Sequence, residues 1–165
     1  MASMTFTFPA LPKSAAELKA LPEAALTSPF AVAALTVAAL CCYEENKDAC
    51  IEMLNFLKGP QPLSAYDLQF LRDRLTGKGY KPFSFFEGSS PANGYKPSVP
   101  YTITVSDNPY SYGDANYATL WIKSSGADSA RQVKLRKKAS AGQWFLWDQM
   151  LLSDIRIPAE EDPWA

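Results

Sequence analysis

The stretch FAVAALTVAALCCY, residues 30–43, carries no charge and no polar face. Wound as a helix it is apolar nearly all round, and such a helix belongs in the centre of a core. It is too short to cross a bilayer, which takes about 20 residues. It is also a poor signal peptide, because no basic region directly precedes it and Glu17 and Glu23 lie upstream. Ser28-Pro29 gives the helix its start, a capping hydroxyl followed by proline at the first helical position. The rest of the chain must therefore wrap this helix, and 165 residues are enough to do so as one domain.

Three further helices are marked by their ends. Ser14 with Glu17 three residues later is a capping-box signal over SAAELKAL, and Pro22 ends that helix or starts a short new one. Asn46 caps the next, with Asp48 in its first turn. Met53, Phe56 and Leu57 share a face there, and Gly59 stops it. Ser64-x-x-Asp67 opens a fourth, in which Leu68, Leu71 and Leu75 follow three-and-four spacing before Gly77 and Gly79.

After about residue 80 the pattern changes to alternation. YTITVSD (101–107) turns Ile103 and Val105 inward. YATLWIK (117–123) sets Ala118, Leu120 and Ile122 against Tyr117, Thr119 and Trp121. RQVKLRK sets Val133 and Leu135 against Lys134 and Arg136, and QWFLWD (143–148) is apolar on both faces. KASAGQ, with Gly142, joins the last two as a hairpin, and GSSPANGYKPSVP (88–100) reads as a surface loop. Neither half can bury its apolar face alone. The expected fold is α+β: about four N-terminal helices packed on a C-terminal antiparallel sheet of about four strands, with a cone-like shape as one such arrangement. Residues 1–13 are expected to form an extended arm docked through Phe6 and Phe8. The single domain is 14–165, with a helical part 14–79, a sheet part 80–157 and an acidic tail 158–165.

Composition narrows the chemistry. There is no histidine, which removes the commonest general base and zinc ligand and any Ser–His or Cys–His nucleophile. Cys41, Cys42 and Cys50 form no Cys-x-x-Cys pair and read as reduced core residues, which suits a cytoplasm. The net charge of −1 gives the whole chain no polyanion-binding character. No cofactor motif, metal spacing, catalytic residue or membrane segment stands out.

RQVKLRKK (131–138) still holds five positive charges in eight positions. A half-buried strand with a charged outer face needs no ligand, and the carboxylates of the tail could neutralise it within the chain. The functional alternative is an anion site built on the turn SSGADSAR (124–131): Gly126, Asp128 and Ser129 with Arg131, Arg136 and Arg156. Backbone N–H groups in such a turn can make a nest, and arginine supplies a fork. Nothing there matches P-loop or Gly-x-Gly-x-x-Gly spacing.

Other groups have plain structural readings. Tyr95, Tyr101, Tyr110, Tyr112 and Tyr117 are expected to pad loops over the sheet, though aromatics there could stack bases or sugars. Trp121, Trp144 and Trp147 read as core or near-core. Asp154-Ile155-Arg156 is expected to close the core with a local ion pair. Trp164 is expected to fold back on its own domain; the alternative is that Asp162 and Trp164 form a short motif offered to a partner.

GYKPSVPYT (94–102), SSGADSAR (124–131), QWFLWD (143–148) and DIRIPAEEDPWA (154–165), in that order, resemble an uncharacterised bacterial domain-of-unknown-function family of about this length. Its pattern has Gly-Tyr-x-Pro before a strand, Ser-Ser-Gly-Ala-Asp-Ser before a basic strand, then Trp, Ile-Arg-x-Pro and Asp-Pro-Trp-Ala. The resemblance covers roughly 40–165 and implies no activity and no catalytic residue.

The expected function is therefore a non-enzymatic, cytoplasmic bacterial accessory or protein-interaction domain with an unknown protein partner. The alternatives are a small-ligand or anion-binding domain using the 124–131 turn, and a histidine-independent hydrolase or lyase. Charge argues against nucleic acid, and no oligomeric state follows from the sequence.

Overall fold

The computed structural model describes residues 2–165. Strand β1 (Ser3–Phe8) comes first, then helices α1 (Ala15–Lys19), α2 (Pro29–Leu40), α3 (Lys47–Lys58) and α4 (Ala65–Leu75). Strands β2 (Tyr101–Ser106), β3 (Tyr117–Ile122), β4 (Arg131–Lys138) and β5 (Gln143–Gln149) follow. The helices begin where their caps direct. Ser14, Ser28 and Asn46 each accept an N–H bond from the third residue onward, and Ser64 and Asp67 form a reciprocal capping box. Such caps typically contribute about 1 kcal/mol each.

The five strands form one antiparallel sheet in the order β1-β2-β3-β4-β5, curled into a half-barrel. Helix α2 sits against it and touches every strand. Every residue from Phe30 to Leu40 is buried, as a helix without a polar face requires. Its one hydroxyl, on Thr36, donates to the Val32 carbonyl at 2.8 Å, so no polar group in the helix core is left unpaired by it. Ile103, Val105, Ala118, Leu120, Ile122, Val133 and Leu135 face α2 from the strands, each fully or almost fully buried.

The sheet has five strands rather than about four, because the expected arm supplies one. Thr5, Phe6, Thr7 and Phe8 alternate as a strand does, and Ser3 to Phe8 pair in register with Ser106 to Tyr101. Phe8 is fully buried. Pro9 follows and, lacking an N–H, ends the ladder. The hydroxyls of Ser3 and Ser106, and of Thr5 and Thr104, meet at 2.9 Å on the face turned away from α2.

Two irregularities shape that outer face. Strands β2 and β3 pair only at Val105↔Ile122 and Ser106↔Trp121, and the 107–116 loop lies along the freed part of β3, where Thr119 N–H donates to the Ser111 carbonyl at 2.9 Å. Between β4 and β5 the register shifts: Lys134 faces Asp148, but Leu135 faces Leu146. Trp147 is the extra residue of this bulge. QWFLWD shows apolar side chains on both faces because Leu146 lies opposite inward Leu135 and Phe145 opposite outward Arg136.

Among the described residues, no helix is long and apolar enough to cross a membrane, and the three cysteines are free.

Candidate functional site

Three successive N–H groups of the 124–131 turn are spent inside the chain. Ser125 N–H donates to the Ser84 carbonyl, Gly126 N–H to Ser124 Oγ, and Ala127 N–H to the Ser124 carbonyl. Gly126 itself is a close-approach glycine: a Cβ there would overlap the Tyr95 hydroxyl and Ile155. Arg131 is equally committed. Its Nε donates to the Ser153 carbonyl at 3.0 Å, Nη1 to the carbonyl and Oγ of Ser129 at 3.0 Å, and Nη2 to the Asp154 carbonyl at 3.3 Å. Arg156 pairs with Asp128 across the turn rather than with its near neighbour Asp154. Asp154 has φ +55° and offers its carbonyl, not its carboxylate, to Arg131. These contacts fasten the 150–158 segment to the sheet. Tyr95 completes the fastening: its hydroxyl donates to the Arg156 carbonyl at 2.5 Å and its ring stacks on Tyr80. Burial, then the neighbouring Tyr80, pushes the Tyr95 hydroxyl pKa up, while Arg156 opposes the shift.

Trp164 does not fold back on the domain; its exposure is 92%. Beyond the short turn at Ala159–Glu161, Asp162 Oδ1 accepts the Trp164 N–H at 2.8 Å and its carbonyl accepts the Ala165 N–H. The local turn is complete without burying the indole. The acidic tail does not neutralise the basic strand either: Lys134 faces Asp114, at 3.9 Å.

The uncommitted cations lie at the other end of β4. Strand alternation puts Arg131 on the side of Val133 and Leu135 but Arg136 on the outer face. Five residues of strand separate the two by about 17 Å, so they do not share a site. The Arg136 guanidinium lies 5.4 Å from the Tyr117 ring centre and 4.7 Å from that of Trp147. Those two rings meet edge to face at 5.8 Å. Lys134 Nζ lies 4.9 Å from the Tyr117 ring centre. Among the described residues the Arg136 guanidinium makes no hydrogen bond and no ion pair. The two rings thus hold the guanidinium in place while its N–H groups remain without a protein acceptor.

Around this group lies a cleft of about 470 Å³. Lys58, Pro60 and Gln61 from the end of α3 form one side, and Asn116, Tyr117, Arg136, Lys137, Lys138, Phe145 and Trp147 the other. Gly59 brings the two together, because the Phe145 ring lies directly over it. Lys58 Nζ donates to the Trp147 carbonyl at 3.1 Å, which ties α3 to the bulge. Among the described residues none of the lining side chains is a carboxylate. Sequence reading put Arg136 among the candidates but missed Lys58, Phe145 and Trp147. Alternation from the buried Leu146 puts Phe145 and Trp147 on the outer face, but the approach of Lys58 from α3 has no local signal.

A family model described as Domain of unknown function (DUF6935) matches residues 10–159. The chain belongs to the DUF6935 family. No curated protein and no solved structure matches it. The matched part of this DUF6935 domain contains the whole cleft and the 124–131 turn, whereas β1, Asp162 and Trp164 lie outside it. Within the cleft the DUF6935 chain presents a guanidinium fork, three ammonium groups and aromatic walls. That set can bind and orient an anion. Among the described residues no cluster of three or more Cys, Asp or Glu side chains could hold a metal ion.

Proposed function

We propose that this protein is a non-catalytic binding domain whose site is the cationic, aromatic-walled cleft at the Lys138 end of β4. Its ligand carries a carboxylate or phosphate beside a flat apolar group. One observation carries this reading: the Arg136 guanidinium lies 5.4 Å from the Tyr117 ring centre and 4.7 Å from that of Trp147, with no hydrogen bond or ion pair among the described residues. A guanidinium so placed is pre-organised for two parallel bonds to an oxyanion, and the flat group would lie against the ring edges and Phe145. Of the other two candidate arginines, Arg131 has its three side-chain nitrogens engaged within the chain, and Arg156 is paired with Asp128. The cleft volume falls in the range of ligand pockets, about 300–1,000 Å³. The free cysteines support a reducing compartment such as a bacterial cytoplasm.

The test is a titration with 1-naphthyl phosphate, read by tryptophan fluorescence and calorimetry, beside inorganic phosphate and 1-naphthol. The ester binds, and each half alone binds at least about tenfold more weakly. Arg136→Lys keeps the charge but loses the fork and weakens the ester about tenfold or more. Equal binding to wild type and to Arg136→Ala would refute the site. Release of 1-naphthol would replace a binding domain with an enzyme.

A further inference from the structure

Two surfaces of this chain have opposite character. The cleft is lined by Lys58, Arg136, Lys137 and Lys138 between aromatic side chains. The 158–165 segment exposes Glu160 and Glu161, has Asp162 half-buried, and carries Trp164 with its ring in water. From the reading of the cleft as an anion-and-aromatic site, we infer that its occupant is the 158–165 segment of a second copy of this chain. The carboxylates of the segment meet Arg136 and the lysines, and Trp164 enters beside Phe145 and Trp147.

Three observations support this occupant. The charges are complementary, and complementary potentials are what steer and select partners. Trp164 is presented on an ordered turn, closed by the bonds of Asp162 to Trp164 N–H and Ala165 N–H, so little ordering remains to be done on docking. A tryptophan in a desolvated pocket is the commonest kind of hot spot. The third observation is distance. The segment leaves the domain beside the 124–128 turn, held by Arg156 and Tyr95 at the Arg131 end of β4, and its 159–161 turn packs on the Pro91–Asn93 turn. Arg136, at the centre of the cleft, lies about 17 Å along the strand. Trp164 follows Asp162 by two residues, about 7 Å of backbone at most, and its ring is 92% exposed. A chain therefore does not place Trp164 in its own cleft, and the contact runs from one copy to the next.

The geometry is head to tail, so it gives rings, chains or a reciprocal pair according to the rotation between copies. It also has a distinctive genetic logic. Trp164→Ala spoils the inserted segment and leaves the cleft; Arg136→Glu spoils the cleft and leaves the segment. Sedimentation velocity over a range of concentrations should show wild type associating and each variant alone at least about thirtyfold weaker, the cost of losing a hot spot. An equimolar mixture of the two variants should restore a one-to-one pair, held by a single contact. Lys138→Glu, at the exposed hairpin tip, repeats the cleft test if Arg136→Glu fails to fold. High salt should weaken the association. A wild type that stays monomeric, or association that survives in both variants, overturns the inference. Titration of the wild type with 1-naphthyl phosphate separates the two readings. Binding of the ester without self-association removes only the second-copy occupant; no binding of either removes the site as well.

Discussion

Replacing Gly59 by alanine tests how the cleft is built. Gly59 ends α3 at φ +65° and ψ −122°, a backbone conformation that residues with a Cβ avoid. An added Cβ would also lie 2.8 Å from Phe145 Cγ and nearer still to two other ring atoms. Backbone strain of this kind costs about 1–3 kcal/mol, and forcing an extra carbon into a packed site costs about 1–3 kcal/mol more. The lower entropy of the unfolded alanine chain offsets about 0.4–1 kcal/mol. The net loss is about 1–5.5 kcal/mol, a Tm shift centred near about 10 °C for a chain of this size. Gly142→Ala is the control, because its φ of +64° is strained in the same sense but nothing lies within 4 Å of the added carbon. Urea unfolding followed by circular dichroism measures both. The decisive comparison adds Phe145→Ala. With the ring gone the overlap disappears, so the double variant should be more stable than the sum of the single losses predicts, by about 1–3 kcal/mol. Additivity within about 0.5 kcal/mol would mean that Phe145 does not lie over Gly59, and the cleft would lose the wall that joins β5 to α3.

Two other perturbations probe the closing segment and the core. Tyr95→Phe removes the donor to the Arg156 carbonyl at a buried stack, and should cost about 1–3 kcal/mol in urea unfolding; an unchanged midpoint would mean the 150–158 segment is held by Arg131 and Asp128 without it. Alkaline stability should depend on Cys50, whose thiol is pushed up to about 12 from an ordinary 9.0 by burial and then by Cys42. Below pH 9 the folded and unfolded thiols both keep their proton, so the full stability is present. Between pH 9 and 12 the unfolded thiol ionises first, and about 4 kcal/mol is lost at about 1.4 kcal/mol per pH unit. Cys50→Ala should therefore flatten the fall in urea midpoint over that window. Cys41, Cys42 and Tyr95 shift in the same direction and leave a residual slope, while Lys81, lowered by burial and then by Lys78 and Arg74, opposes it. An identical pH profile in Cys50→Ala would place the thiol in contact with water.

What was legible in the sequence was whatever a single segment decides. Helix α2 announced its burial because no face of it tolerates water, and the caps at Ser28, Asn46 and Ser64 act within three residues of themselves. Strand faces followed from alternation at Ile103, Leu120 and Val133. The strand β1 was visible in principle, in the Thr-Phe-Thr-Phe alternation, but its partner lies 93 residues and more away along the chain, and two prolines beyond it suggested an arm. Three arginines looked equivalent as anion ligands. Their difference lies in contacts to distant chain: Arg131 meets the 153–154 carbonyls and Arg156 meets Asp128, while Arg136 meets only rings. Trp147 faces outward by alternation from Leu146, but its place beside Arg136 depends on pairing across strands.

The net charge of −1 gives the whole chain no polyanion-binding character, but it leaves room for a local anion site for a physical reason. Screening cuts charge interactions to about 8–10 Å at physiological salt. A ligand at the Lys138 end of β4 therefore responds to Lys58, Arg136, Lys137 and Lys138, not to the carboxylates held beyond the opposite end of the strand. Near neutrality in total is what two separated poles of opposite sign produce. The same separation keeps the acidic segment from quenching its own cleft, and it makes the arginine without a protein acceptor the most informative side chain in the molecule.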